Sequence, residues 1–134
     1  HLVHTPLPLV TVQSGGAVEE PAGGVDQVAG ARLATRHLLD LGHRTVHHVT
    51  GPADSQEARD RITGWRAELA AAGADVPVSV YGDWTPSSGY EAGRLLAARR
   101  RAGEDVTAVF LANDQMALGL LAATRRGWVE ELVM

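Results

Sequence analysis

The chain alternates short apolar runs of strand character with longer stretches whose apolar residues recur at helical spacing. Four such pairs follow one another along 134 residues. The predicted strands cover 7–12, 45–50, 76–81 and 106–112. Strands that alternate with helices form a parallel sheet through right-handed crossovers, with helices on both faces. The sequence therefore predicts a three-layer α/β/α fold.

Glycines and capping residues mark the ends of the predicted helices. A glycine follows each helix, at Gly42, Gly73, Gly103 and Gly127, where it readily adopts positive φ. The helices are predicted to start near Gln27, at Asp54 or Ser55, at Thr85-Pro86 and at Asp114. Glu57 stands three residues after Asp54, as a capping-box partner would.

Two apolar helix faces are predicted from spacing. The first helix, to Leu41, places Leu33, His37 and Leu38 near one another. In the third helix, the small residues around Gly89 and Gly93 are expected to let the helix approach the sheet closely.

Composition excludes several classes of protein. The net charge is −4, and all twelve basic residues are arginine, so a basic face for nucleic acid is not expected. There is no cysteine and no apolar run of 18 residues, and no signal peptide is visible. This fits a cytoplasmic protein without a membrane span. The phosphate-loop, dinucleotide and nucleophile-elbow motifs of enzymes are also absent.

Three loops follow predicted strands and should meet at one edge of the sheet, where α/β proteins bind ligands. They cover 51–57, 82–87 and 113–114, and they offer carboxylates, amide and hydroxyl groups and the indole of Trp84. This mixture suits a neutral, polyhydroxylated ligand, because a sugar's C–H face stacks on an indole. The alternative is that Asp54, Thr85 and Asp114 serve only as helix caps.

Three further features have competing interpretations. Arg61 lies one helical turn after Glu57, where it either binds a ligand or forms a surface ion pair with Glu57 or Asp60. His47 and His48 are adjacent in a strand, so they point to opposite faces and do not share a metal ion. The arginines at 99–101 end a helix, where its dipole favours cations, and the alternative is a patch that binds DNA or an acidic partner.

Four stretches taken together resemble the effector-binding domain of LacI/GalR transcription regulators. They are residues 25–44, 51–65, 82–90 and 109–119, in that order, and the last contains Ala112-Asn113-Asp114. The resemblance implies one lobe of a type I periplasmic-binding-protein-like fold. Residues of about 1–26 would end the N-terminal lobe and cross over, and about 27–134 would form most of the C-terminal lobe.

The resemblance also implies site residues. Arg61 and Asn113 match residues that contact the effector, and Trp84 matches an aromatic that stacks on it. Three other positions are implied at the site: Asp114 beside Asn113, and, as less direct matches, Ser55 and Asp26.

By the same resemblance, the chain is the sensor of a repressor that binds a small effector, expected to be a sugar. Operator DNA would be bound through a helix-turn-helix that this chain does not contain, and the protein would be a homodimer without metal, cofactor or catalytic activity. Two rivals remain: an exported sugar-binding protein of a transporter, which shares the fold, and a small α/β enzyme.

Overall fold

Four parallel strands form one sheet in the computed structural model, which describes residues 9–11 and 26–127. They are β1 (Leu9–Thr11), β2 (His47–Thr50), β3 (Val80–Tyr81) and β4 (Val109–Leu111), in the order β1-β4-β2-β3. The predicted parallel sheet is confirmed, although β2, β3 and β4 are shorter than predicted. The predictions for residues 1–8, 12–25 and 128–134 lie outside the described residues.

A helix follows each strand. The helices are α1 (Gln27–Asp40), α2 (Gln56–Ala71), α3 (Pro86–Arg101) and α4 (Asp114–Gly127). Gly42, Gly73 and Gly103 have positive φ after the first three, as predicted. Within the described residues, no helix is long and apolar enough to cross a membrane.

The core consists of two apolar layers, one on each face of the sheet. Trp65 and Phe110 lie in the layer under α1 and α2, whereas Leu111, Met116 and Leu120 lie in the layer under α3 and α4. All of β2 and β4 is buried, so these central strands are covered on both faces. Burial of each large apolar side chain contributes about 1.5–3 kcal/mol. The prediction of helices on both faces is therefore confirmed.

The buried face of α1 differs from the predicted one. Leu33 and Leu41 are 72% and 60% exposed, while Ala31, Ala34 and Leu38 are buried. A Cβ built at Gly64 of α2 lies 2.9 Å from the Ala31 Cβ, so the two helices approach closely. Close approach requires small residues at the contact, and this requirement rotates the larger leucines outward.

The small-residue face of α3 packs mainly on a helix. A Cβ built at Gly89 lies 2.6 Å from the Met116 carbonyl carbon, and one at Gly93 lies 2.8 Å from the Ala123 Cβ. Both neighbours belong to α4. The expectation that this face packs on the sheet was thus wrong for its two glycines, which instead allow α3 and α4 to lie side by side.

His47 and His48 do point to opposite faces. Nε2 of His47 lies 2.7 Å from Glu104 Oε2, on the side of α3. Nδ1 of His48 donates to the carbonyl of Phe110 at 2.8 Å, and the two rings stack at 4.4 Å. Burial lowers the pKa of His48 to about 4, against the Phe110 hydrogen bond and with a smaller contribution from the charge of Arg61.

The low pKa of His48 predicts acid sensitivity. An unfolded histidine has a pKa near 6.5, so its contribution is complete above that pH and is lost as the pH falls toward about 4. At about 1.4 kcal/mol for each pH unit, the contribution of His48 to the free energy of unfolding should fall by about 2 kcal/mol between pH 7.5 and pH 5. Urea unfolding at the two pH values measures it.

The variant His48→Leu should flatten most of this pH dependence. Burial also lowers the pKa values of His43 and His47, but the shift of His48 is the large one. His43→Gln is therefore a matched control that should retain most of the pH dependence. An unchanged slope in His48→Leu would show that another group is responsible.

Candidate functional site

All four helices begin at the carboxyl edge of the sheet, and each start is capped by a side chain. Asp26 and Ser55 cap α1 and α2 by accepting hydrogen bonds from the backbone N–H groups of Ala29 and Ala58. Thr85 caps α3, with Pro86 as its first residue, as predicted. The edge therefore collects four N-terminal dipole ends together with the loops that carry the candidate residues.

Two capping predictions needed correction. Of the two predicted caps of α2, Ser55 is the one observed, so Glu57 follows the cap by two residues and the predicted capping box does not form. The cap of α4 is Asn113, whose Oδ1 accepts from Met116 N–H at 2.9 Å, whereas Asp114 is the first residue of the helix. Asn and Asp cap helices equally well, so tertiary contacts decide whether Asn113 or Asp114 caps α4.

Arg61 is fully buried, with 0% of its surface exposed. Within the described ranges, none of its three guanidinium nitrogens has a hydrogen-bond partner. The surface ion pair was therefore the wrong alternative, and Asp60 instead accepts from the amide of Gln56. Burial lowers the pKa of Arg61, and the nearby charge of Glu57 only partly opposes it. A buried cationic donor without an acceptor costs more than about 1–3 kcal/mol, so it is a strong candidate for binding an external acceptor.

The indole of Trp84 lies beside the guanidinium of Arg61. The guanidinium carbon lies 5.6 Å from the ring centroid, within the range of a cation–π interaction. The six-membered ring of the indole also lies against Gly51, where a built Cβ would be 2.6 Å from Trp84 Cζ2. Only a residue without a side chain leaves space for the indole there.

Trp84 has a strained backbone, with a φ of 78°. Such a conformation in a bulky residue costs about 1–3 kcal/mol and occurs most often at functional sites. Neighbouring bonds hold it. The Asp83 carboxylate accepts from the backbone N–H of Thr85 at 3.1 Å, and the Asp83 N–H donates to Ser88 Oγ at 3.0 Å. Hydrogen bonds from Thr85 and Ser88 lower the pKa of Asp83, so it remains ionised in this role.

Asn113 joins the third loop to this arrangement. Its Nδ2 donates to the backbone carbonyl of Trp84 at 3.1 Å while its Oδ1 caps α4. Arg61, Trp84 and Asn113 thus form one group, here called the Trp84 cluster. The sequence predicted all three residues. Asp114 adjoins the cluster in the chain, and Ser55 and Asp26 lie at the same edge as helix caps.

Sequence reasoning missed two residues at this edge. Gln27, the first residue of α1, is 7% exposed, and its buried Oε1 has no partner among the described residues. A polar residue at the start of a helix that begins at the ligand edge was the available signal. Gly51 was predicted only as part of the loop 51–57, and its contact with Trp84 is long-range.

Comparison with known proteins identifies the family. A model described as the periplasmic binding protein-like domain matches residues 35–129, well over half of the chain. The chain belongs to this family. The solved structures that it resembles include regulators of the LacI family, as the sequence predicted. The periplasmic-binding-protein-like fold is confirmed as well.

Its relatives are transcription regulators. The regulator CelR of Thermobifida fusca is 39% identical over 103 residues, which are 75% of this chain and 29% of CelR. The lactose operon repressor of Klebsiella pneumoniae is 37% identical over 99 residues, 73% of this chain and 27% of the repressor. A solved complex of CelR with cellobiose superposes with a TM-score of 0.72 at 35% identity, over 90% of this chain and 37% of that one. The chain thus spans less than a third of the length of these two relatives.

Proposed function

We propose that this domain senses a neutral sugar for a LacI-type transcriptional repressor. The observation that carries the proposal is the buried, unpartnered guanidinium of Arg61 beside the indole of Trp84. Sugar hydroxyls supply acceptors for the guanidinium, and a sugar's C–H face stacks on the indole. The solved relative that binds cellobiose supports the same class of ligand.

Charge at the carboxyl edge favours a neutral ligand over a phosphorylated one. Among the described residues, the cations in the first two turns of the helices at this edge are Arg32, Arg59 and Arg61. Arg32 is paired with Glu68, and Arg59 donates hydrogen bonds to Ala53 and Gln56. Carboxylates outnumber them, at Asp26, Asp54, Glu57, Asp60, Asp83 and Asp114. A phosphate would meet one available cation and several like charges, and the four helix starts, already capped, only partly offset this repulsion.

The mechanism is a shift between conformations of a two-lobed sensor. A sugar that binds one lobe arrangement more tightly raises its population. That arrangement would set how a separate helix-turn-helix meets operator DNA in the cytoplasm. The division into an N-terminal lobe to about residue 26 and a C-terminal lobe from about 27 is part of the same proposal. So are the contributions of Asp114, Ser55 and Asp26 to binding.

A homodimer through α4 completes the proposal. Leu118 on this helix is 60% exposed, and Tyr90 on the adjoining α3 is half-buried.

The relatives are transcription regulators, which favours the proposed function over the two rivals, a sugar-binding protein of a transporter and a small α/β enzyme.

A thermal-shift panel tests the choice of ligand. Cellobiose, lactose, ribose and glucose are compared with ribose 5-phosphate and glucose 6-phosphate. A neutral sugar at about 100 times its dissociation constant should add about 2.7 kcal/mol to the stability. Stabilisation by phosphorylated sugars alone, or by no sugar, would contradict the proposal.

A further inference from the structure

Asn113 makes two hydrogen bonds that serve different parts of the molecule. Its Oδ1 accepts from Met116 N–H at 2.9 Å, which fixes the first turn of α4. Its Nδ2 donates to Trp84 O at 3.1 Å, which fixes the loop between β3 and α3. An amide carries a donor and an acceptor on one rigid plane, so a single side chain can hold both at once.

The Trp84 loop depends on such a brace. The residue has a φ of 78°, and its indole lies against Gly51 and near the guanidinium of Arg61. A strained residue keeps its conformation only where its surroundings fix it. The hydrogen bond from Asn113 comes from the start of another helix, α4. The hydrogen bonds that involve Asp83 and Ser88 form within the loop itself and the start of α3.

The same loop rests on α4 at two further points. A Cβ built at Gly82 lies 2.5 Å from Met116 Sδ, and one built at Gly119 lies 2.7 Å from the backbone carbon of Pro86. The loop on either side of Trp84 is thus packed against the first two turns of α4. Packed side chains and hydrogen bonds of this kind can carry energetic coupling from one part of a protein to another.

We propose that Asn113 is a positioning residue that links the indole of Trp84 to the start of α4. A ligand that stacks on the indole moves the Trp84 backbone, and Asn113 carries the movement to the helix that presents Leu118. The inference rests on the proposed function only in placing a ligand at the indole. The position of the ligand-free indole depends on Asn113 whether or not a sugar binds.

The variant Asn113→Asp separates the two hydrogen bonds. Aspartate has the same shape and still caps α4, but it faces the carbonyl of Trp84 with an oxygen in place of the N–H donor. Asn113→Ala removes both bonds. Asn113→Ser, which keeps a cap but does not reach Trp84, replaces the aspartate variant if that one fails to fold.

The readout is the indole N–H resonance of Trp84 in the ligand-free chain, assigned with Trp84→Phe. It should move in Asn113→Asp and in Asn113→Ala, while the thermal stability should fall further in Asn113→Ala, which also loses the cap of α4. Asp26→Ala, which removes the cap of α1, is the control and should leave the resonance in place. An unmoved resonance in Asn113→Asp would overturn the proposal.

A second arm follows amide exchange in α4 as cellobiose is added. Slowed exchange at the first turns should occur in the unchanged chain and be reduced in Asn113→Asp. Equal slowing in both chains would show that the coupling bypasses Asn113. If cellobiose and the other sugars fail to bind, the proposed function fails, and the ligand-free indole still decides the positioning role.

Discussion

Replacing Arg61 with methionine is expected to abolish sugar-induced stabilisation while leaving the ligand-free chain at least as stable as before. The guanidinium is buried without a partner, so its removal recovers more than about 1–3 kcal/mol of unsatisfied polar burial. Against this gain stands the lost cation–π contact with Trp84, worth about 0.5–2 kcal/mol. Methionine keeps a flexible apolar stem of similar length, and we expect a net gain of about 1 kcal/mol.

The loss of binding should be much larger than this gain. Each hydrogen bond to a charged donor contributes about 1.5–3 kcal/mol, so the loss of two weakens binding by at least about 100-fold. Urea unfolding measures the stability and calorimetric titration measures the affinity.

Arg66→Met is the matched control, because it makes the same change at an exposed position of the same helix. It should alter neither quantity measurably. A destabilised Arg61→Met chain that still binds sugar normally would mean that Arg61 is a structural residue.

Replacing Gly119 with alanine should produce the largest loss of stability. A Cβ there would overlap the backbone of Pro86 and lie 2.7 Å from the Tyr90 N. Backbone atoms cannot move aside as side chains do, so α3 and α4 would have to separate. We expect a loss of about 3 kcal/mol, at the upper end of the range for overpacked cores. In an open helix the same change would instead stabilise by up to about 1 kcal/mol.

Gly73→Ala separates this overlap from the general effect of losing a glycine. Gly73 has a φ of 72° and no heavy atom within 4 Å of a built Cβ. Its replacement should cost about 1 kcal/mol through backbone strain alone. Equal losses in the two variants, measured by urea unfolding, would show that α3 and α4 are not closely packed at Gly119.

Local signals in the sequence predicted the order of elements and most helix ends. Glycines after helices and the Thr85-Pro86 start act through their own backbone, so no tertiary information was needed. The strand at 76–81 was predicted too long, because β3 pairs with β2 only at Val80 and Tyr81. Hydrogen bonds between strands depend on the neighbour, and the apolar run alone does not show where pairing stops.

The roles that local patterns left open, or assigned to a neighbouring residue, are those that depend on distant parts of the chain. Asn113 is the cap of α4 and holds Trp84, 29 positions earlier in the chain. Helical spacing left Arg61 with two interpretations, a ligand contact or a surface ion pair with Glu57 or Asp60, and only the fold shows that it is buried. In each case a side chain's partner is set by which loops meet at the sheet edge, and no local pattern contains that information.

The most direct test of the ligand site is a residue-resolved NMR titration of the labelled chain with cellobiose. The Nε–H of Arg61, the indole N–H of Trp84 and the side-chain amide of Asn113 should move together and saturate at one concentration. Their joint movement would place the sugar at the Trp84 cluster. Saturable binding that leaves these three resonances unchanged, or no binding of cellobiose or of any other neutral sugar in the panel, would contradict the account.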